Sequence, residues 1–244
     1  MDYSEREGGR AIAQPTMYKK ADMSTLSNVT TRRSPTSIRF TPNAFPEAKS
    51  SKTGVSVRYV PSPDKRWYVF RVSYGREDKA SDYLVEDGTY TYIAKKMVEK
   101  YVEGKRKRYL QTLIPNLLFA YTTAEKAEEY VNHTPAISFL SYYYNHFKLV
   151  DNENNPPLMV SDEDMSRFIY ATCNMNPHLL FVQPSQCHFK GGEQVRVIDG
   201  AFAGVEGRVA RVAGQQRVVI SLSSIGLIST AYIPTAFLRR IDQK

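Results

Sequence analysis

The sequence predicts an α+β domain, in which helices pack on a mainly antiparallel sheet, followed by a small SH3-like β-barrel. Over residues 65–173, strand-like and helix-like segments follow one another in the order strand, helix, hairpin, helix, strand, helix. From residue 190 onward, short segments of alternating apolar and polar residues are separated by glycines. The first pattern is typical of an α+β sandwich and the second of a small barrel.

The composition excludes several classes of protein. The chain has 244 residues, of which 42% are hydrophobic, and this length supports a core without disulfides. It has no run near the ~18 apolar residues of a membrane-spanning helix. The first ten residues carry charges of both signs and no secretory signal, so we expect a cytoplasmic protein without a membrane role. The only cysteines, Cys173 and Cys187, fit reduced thiols.

The net charge of +8 is concentrated at the two ends of the chain. Residues 1–64 hold 10 Lys and Arg against 6 Asp and Glu, and residues 181–244 hold 8 against 4, whereas residues 65–180 hold 15 of each. A middle segment with balanced charges is not expected to hold DNA by neutralising phosphates alone. We therefore expect this segment to bind a protein partner.

The first segments of the chain are predicted from local signals. Residues 1–64 are rich in Ser, Thr, Pro and isolated charges, which predicts a mostly disordered basic tail, although the short pieces 37–40 and 55–60 could pair as strands on another element. The aromatic and β-branched residues 67–72 predict a strand. The spacing of Ala80, Tyr83 and Leu84 predicts a helix that stops before Gly88.

The remaining elements of the first domain are also predicted from local signals. Residues 89–102 and 109–121 are rich in β-forming residues and flank Glu103 and Gly104, which predicts a long hairpin with a basic tip. A helix is expected over 124–132 and a strand over 137–144. Ser161, followed by three acids, predicts the start of a helix that runs to about Cys173.

Residues 174–189 show neither the helical nor the strand spacing of apolar residues, and they contain two prolines. They are therefore predicted to be a linker before the barrel at 190–244. In the barrel, Val218, Ile220 and Leu222 alternate with other residues, and residues 228–233 are rich in β-branched side chains. This segment is therefore predicted to be β-structure rather than helix.

No pattern in the sequence predicts catalysis. The four histidines lack ligand spacing, and there is no phosphate-binding loop or nucleophile elbow. The spacing of Cys173, His178, Cys187 and His188 fits no common zinc site. We expect no catalytic residue, metal or cofactor, and a function that depends on binding.

Three motifs in the first domain, KRWYV at 65–69, YGRE at 74–77 and LIPNLLF at 113–119, resemble the N-terminal (NGN) domain of NusG-like transcription elongation factors. GEQVRVIDGAFAGVEG at 192–207 resembles the KOW motif that follows in that family. The resemblance implies an NGN-like domain at 65–173 and a KOW barrel at 190–244. It also implies a monomer that acts without a cofactor.

The resemblance implies that the first domain binds the clamp helices of the largest RNA polymerase subunit through an exposed apolar surface. The residues at the matching positions are Tyr92, Ile114, Pro115, Asn116, Leu117 and Phe119. Leu117 and Phe119 share one face of a predicted strand, whereas Ile114 precedes the bend at Pro115. The alternative that some of these apolar residues belong to the core stays open.

The same resemblance implies contacts with nucleic acid, either the non-template DNA strand or nascent RNA. Arg71, Tyr74 and Arg76 lie near the family positions that touch the non-template strand. The hairpin tip Lys105, Arg106, Lys107 and Arg108 resembles the family's hairpin, which lies near upstream DNA or the polymerase gate loop. An exposed tyrosine can stack on an unpaired base. A solvated turn is the alternative explanation for the charge run at the tip.

In the barrel, the resemblance implies a surface that binds either the termination factor Rho or a small-subunit ribosomal protein. The motif and surface residues are Val197, Gly200, Phe202, Gly204, Val205, Gly207, Ile225 and Leu227. Val205 stands where housekeeping relatives have an aromatic residue, and Leu227 where they favour a basic one. Fewer aromatic contacts would weaken Rho binding.

Together these features, with the insertion at 142–159, resemble the UpxY-type paralogues that promote read-through of surface-polysaccharide operons. A housekeeping elongation and termination factor is the alternative within the family. A ribosome-associated or RNA-binding KOW protein is the alternative outside it.

Overall fold

Strand β3 (Arg66–Val72) lies in the interior of the first sheet, and its aromatic and β-branched side chains are buried on both faces. Tyr68, Phe70 and Val72 face one hydrophobic core, and Trp67 and Val69 face the other. The period of two along a strand requires this division. The predicted strand at 67–72 is confirmed.

The computed structural model describes residues 45–144, 155–188, 193–222 and 225–241. Within these ranges, the first part of the chain carries the strands β1 (Ala48–Lys49), β2 (Ser56–Val57), β4 (Tyr90–Tyr92), β5 (Lys95–Val102), β6 (Lys105–Thr112), β7 (Leu117–Thr122), β8 (Leu140–Tyr142) and β9 (Met159–Val160). Its α-helices are α1 (Glu77–Glu86), α2 (Ala124–Glu128) and α3 (Asp162–Thr172). The later strands are β10 (Leu180–Val182), β11 (Gln194–Val197), β12 (Glu206–Val212), β13 (Gln215–Leu222), β14 (Gly226–Tyr232) and β15 (Leu238–Arg240).

The central sheet has the antiparallel strand order β4-β7-β3-β8, and β9 also pairs with β3. Helix α1 lies on the face of the sheet that carries Phe70 and Leu118, and α3 on the face that carries Val69 and Phe119. The result is a layered α+β arrangement, as the sequence predicted. Among the described residues, no helix has the length and apolar character needed to cross a bilayer.

The helices begin and end at the predicted local signals. The Ser161 side chain accepts a hydrogen bond from the Asp164 amide at 3.1 Å, which caps the first turn of α3. Helix α1 stops before Gly88, whose φ of +79° an L-residue rarely adopts. Helix α2 is shorter than predicted, because after Glu128 the chain continues as a π-helical turn, Glu129–His133.

Strands β8 and β9 form two halves of one interrupted edge of the central sheet. The Val69 carbonyl accepts from the Tyr143 amide at 3.0 Å, and the Val69 amide donates to the Leu158 carbonyl at 3.1 Å. The predicted strand at 137–144 is thus reduced to β8, after the 3-10 turn Pro135–Ile137. The predicted insertion at 142–159 leaves and rejoins the sheet here, and its residues 145–154 lie outside the described residues.

Residues 45–64, expected to be part of a disordered tail, pack against the central sheet. The Tyr59 ring lies 5.6 Å from Trp67 and 4.8 Å from Tyr121, and the Ser51 hydroxyl donates to Asp82 at 2.6 Å. The prediction of disorder is corrected for this part, because aromatic burial against the sheet offsets the entropy of ordering it. Residues 1–44 lie outside the described residues.

The C-terminal sheet, formed by β10 to β15, has the antiparallel order β10-β14-β13-β12-β11-β15 within the described residues. Strands β13 and β14 confirm that the segment is β-structure rather than helix. Residues 174–189, predicted to be a linker, supply β10, in which Phe181 pairs with Ile228. The linker prediction is corrected there, because β10 completes its hydrogen bonds on β14. The SH3-like barrel stays a prediction.

Replacing Tyr59 with alanine is expected to destabilise the protein by about 2 kcal/mol, because it removes ring contacts with Trp67 and Tyr121. Val60→Ala is the matched control, since Val60 is 67% exposed and its replacement should change stability by less than about 0.5 kcal/mol. Urea unfolding of the full chain measures both. Equal midpoints for the two variants would contradict the packing of this segment.

A carboxylate at the end of α1 gives the stability a dependence on pH. Burial alone would raise the pKa of Asp87, but hydrogen bonds from Lys126 at 2.5 Å and Tyr130 at 2.6 Å hold it below its ordinary value. A lowered folded-state pKa contributes stability above the unfolded-state pKa near ~4, and this contribution is lost as the pH falls through the folded value. Asp87→Asn should therefore cost at most about 1 kcal/mol at pH ~7 in urea titrations, and this cost should disappear as the pH falls through the lowered pKa of Asp87.

Candidate interaction surfaces

The apolar residues expected on an exposed polymerase-binding surface are mostly buried beneath α3. The Phe168 ring lies 5.3 Å from Phe119 and 5.8 Å from Tyr92. The Tyr92 hydroxyl lies 2.6 Å from the Thr172 hydroxyl, and burial raises the pKa of Tyr92 well above its ordinary range. The expectation of exposure is thus corrected for Tyr92 and Phe119, because α3 covers this face of the sheet.

Ile114 and Leu117 lie at the end of the same sheet face and are only 4% and 6% exposed. They line a cleft of about 250 Å³ together with Phe181 and Ile225 of the C-terminal part. The expectation of exposure is corrected for these two residues as well. Pro115 and Asn116, at the tip of the loop between β6 and β7, remain exposed.

Asn116 ties this loop to the neighbouring loop at 73–76. Its amide donates to the Glu77 carboxylate at 2.7 Å, and its carbonyl accepts from the Val72 amide at 2.9 Å. Its side-chain oxygen accepts from the Gly75 amide at 3.4 Å. Asn116 has a φ of +63°, which asparagine tolerates better than most residues. Glu77 of the YGRE motif was not expected to position this loop, although an acid in the first turn of α1 was a local signal for it.

The loop at 73–76 presents Tyr74, which is 90% exposed and has a φ of +63°. The Arg76 guanidinium lies 3.9 Å from the centre of the Phe139 ring and 5.4 Å from that of Tyr74. Arg71 is exposed and lines the same cleft as Asn116. The structure thus brings Arg71, Tyr74 and Arg76 to the end of the sheet that carries Pro115 and Asn116.

The basic tip predicted from the sequence lies on a separate two-stranded arm formed by β5 and β6. Its turn residues Glu103 and Gly104 have φ of +54° and +74°, as in the two-residue turns that match strand twist. The predicted hairpin over 89–121 is interrupted, because its outer segments, β4 and β7, join the central sheet. The base of the arm is anchored by the Met97 amide, which donates to the Met175 carbonyl at 2.9 Å.

Charged side chains are distributed unequally along this arm. Glu99 forms ion pairs with Arg108 at 3.0 Å and with Arg106 at 3.6 Å. The Arg106 guanidinium also donates to the Tyr101 hydroxyl at 2.8 Å. All four basic residues of the tip are exposed, and the contacts with Glu99 involve its two arginines.

In the C-terminal sheet, the side chains expected to meet a partner are mostly in the core. The buried ones are Val197, Phe202, Val205 and Ile225, and Leu227 is half-buried. The expected partner surface is corrected for the buried four, because their side chains fill the core shared with α3. Gly207 lies in strand β12, where a Cβ atom would stand 2.4 Å from the Val219 carbonyl oxygen.

The turn at 200–204 packs directly on the end of α3. The Tyr170 hydroxyl donates to the Ala203 carbonyl at 2.9 Å, and the Asn174 side chain donates to the Ala201 carbonyl at 3.0 Å. Gly204 has a φ of +88°, and a Cβ atom there would lie 2.4 Å from the Tyr170 hydroxyl. The backbone favours glycine at this position, and a larger residue would displace the Tyr170 hydroxyl from the turn.

Replacing Gly204 with alanine should therefore loosen the packing of the turn on α3 and lower stability by about 2 kcal/mol. Gly214→Ala is the matched control, since Gly214 also has a positive φ, +77°, but has open space around it. It should show only the backbone cost of about 1 kcal/mol. Thermal unfolding compares the two, and equal losses would contradict the contact with Tyr170.

A match to a known protein family covers most of the first domain predicted from the sequence, residues 65–173. Residues 65–169 match the family model described as "Transcription termination factor nusG". This range begins just before β3 and ends within α3, so it contains the whole central sheet. No curated protein matches the chain. The family match supports a NusG-like transcription factor.

Proposed function

We propose that this protein binds elongating RNA polymerase through its N-terminal domain. It acts in the cytoplasm by binding rather than by catalysis. The observation that carries this proposal is the family match over 65–169, which spans the central sheet and its loops. NusG family proteins bind RNA polymerase. In this proposal the partner segment is the clamp helices of the largest subunit.

In the proposal, the contact lies at the end of the central sheet where two loops meet. Pro115 and Asn116 are exposed there, and the hydrogen bond from Gly75 to Asn116 holds Tyr74 beside them. Arg71 adds a positive charge to the same edge. An exposed tyrosine ring and an arginine suit a protein interface, in which these residue types often dominate the binding energy.

Ile114 and Leu117 join the contact only after the C-terminal sheet has moved. They share a cleft with Phe181 and Ile225, which would be exposed together with them. Separation exposes these apolar side chains to water, which costs free energy. Binding to the polymerase would have to offset this cost. The proposal thus makes polymerase binding and packing of the C-terminal sheet compete for the same apolar residues.

We further propose that the effect on transcription is read-through of a surface-polysaccharide operon, as in UpxY-type paralogues. The insertion at the β8–β9 edge supports this assignment, as does the half-buried Leu227, which lacks the basic side chain of housekeeping relatives. In this proposal the C-terminal sheet is the KOW barrel. Weak binding to Rho or a ribosomal protein would then leave read-through as the main effect.

The double variant Tyr74→Ala, Pro115→Asp should bind a reconstituted elongation complex at least about tenfold more weakly than the wild type, because it removes apolar surface and adds a charge at the contact. Both residues are exposed, so the fold should persist. Val60→Asp, which adds the same charge at another exposed apolar site, is the matched control and should bind normally. Binding is measured by fluorescence anisotropy with the full chain.

Two results would overturn parts of this proposal. Equal binding by the double variant and Val60→Asp would exclude the loop tips as the contact. Normal polymerase binding without increased read-through of a terminator in a transcription assay would leave a housekeeping role instead.

A further inference from the structure

Three apolar side chains, Tyr142, Tyr144 and Met159, form an edge patch on the central sheet. Tyr142 of β8 stands directly opposite Phe70 of β3, and Met159 of β9 stands directly opposite Tyr68. Residues paired in this way share a face, and Tyr144 follows Tyr142 at the spacing of two that keeps it on that face. Tyr144 is 47% exposed, Met159 is 50% exposed and Tyr142 is half-buried.

The rings of the edge patch continue a row of aromatic side chains that begins in the core. The Phe70 ring lies 5.7 Å from that of Tyr142, which in turn lies 6.1 Å from the ring of Tyr144. Phe70 is fully buried, so the row runs from the core to solvent. Each outer ring packs on an inner one. A partner that covers Tyr144 therefore meets a preformed surface and loses little entropy in ordering it.

Two carboxylates of α2 border this aromatic row. Glu125 and Glu128 are three residues apart and lie on the same side of the helix. Burial raises the pKa of Tyr142 to about 12, and the neighbouring Tyr68 and Glu128 raise it further. Burial likewise raises the pKa of Tyr68, and the charge of Glu125 contributes to the same shift. Both carboxylates are thus close enough to act on the rings of this face.

The charges around the edge patch favour a cation over an anion. Arg66, whose charge acts on Tyr68, donates its guanidinium N–H groups to two backbone carbonyls. Lys126 forms an ion pair with Asp87. The two bordering carboxylates are exposed and form no ion pair within the described ranges, although the chain has a net charge of +8. They would repel a phosphate and attract a positively charged side chain.

We propose that the edge patch binds an arginine-bearing segment of a protein partner. A guanidinium group can stack on a tyrosine ring and pair with a carboxylate at the same time, which suits it better than a lysine ammonium to this surface. The chain itself contains such a stack, because the Arg76 guanidinium lies 3.9 Å from the centre of the Phe139 ring. Met159 adds a flexible and polarizable contact beside the rings.

This surface is separate from the polymerase contact described above. The edge patch lies beside Tyr68 and Phe70, whereas β3 ends at Val72, next to the loop at 73–76 that carries Tyr74. The inference goes beyond the proposed function, because it assigns a second partner surface to the same domain. It does not rest on polymerase binding, so it can be tested without polymerase.

The probe is a short fluorescein-labelled peptide in which arginine alternates with threonine, and its binding to the full chain is followed by fluorescence anisotropy. The double variant Tyr144→Ala, Glu128→Gln should bind the probe at least about tenfold more weakly, because it removes one ring and one carboxylate from the site. Tyr232→Ala, Glu103→Gln is the matched control. It removes the same two residue types at exposed positions elsewhere and should stay within about twofold of the wild type.

Tyr144→Phe, which keeps the ring, should retain binding and shows that loss of fold is not the cause. Equal losses in the two double variants would overturn the location of the site. Equal binding of a probe with glutamine in place of arginine would overturn the recognition of a cation. Self-association of the wild type that Tyr144→Ala, Glu128→Gln abolishes would replace the external partner with a second copy of the chain.

The polymerase-contact variant Tyr74→Ala, Pro115→Asp separates this proposal from the proposed function. It should bind the arginine probe as the wild type does, because neither residue belongs to the edge patch. Loss of probe binding in this variant would place the peptide at the loop tips and overturn the edge patch as its site.

Discussion

The packing of α3 against the central sheet holds the other parts of the described chain in place. Phe168 fills the space between Tyr92 and Phe119, so the helix closes one sheet face. Tyr170, two residues later, donates to the turn of the C-terminal sheet at Ala203. Just after α3, the Met175 carbonyl accepts a hydrogen bond from the Met97 amide, and this bond anchors the arm. One helix of about three turns thus joins the sheet, the arm and the C-terminal strands.

This packing changes which residues are available for binding. The apolar strand residues that resemble the family's polymerase contact are core residues here, and only the loop tip at Pro115 and Asn116 is open. Glu77 and Asn116 determine where this tip lies relative to Tyr74. Positive φ values at Tyr74 and Asn116 cost free energy, and the hydrogen bonds between the loops offset that cost. A preformed junction of two loops is a better interaction surface than the strand face beneath α3.

The arm follows a different physical rule from the sheet. Its two strands pair mainly with each other, so both faces meet solvent along most of its length. Charge there is arranged by cross-strand register, with acid and arginine on one face and lysine on the other. In the sequence, residues 105–108 form one basic run. Alternation divides that run between two surfaces, and it adds Lys100, which is distant in sequence, to the lysine surface.

The sequence by itself determined the elements whose signals are local: β3 from its aromatic run, α1 up to Gly88, the cap at Ser161 and the turn at Glu103 and Gly104. These depend on backbone preference and on hydrogen bonds between near neighbours. The tertiary structure alone decided which apolar residues are buried, because Phe119 meets Phe168 across nearly fifty residues. It also decided that Tyr59 covers Trp67 and that β10 pairs with β14. Burial and pairing between distant segments depend on which apolar faces and strand edges are still uncovered once each part has folded. No local sequence pattern contains that information.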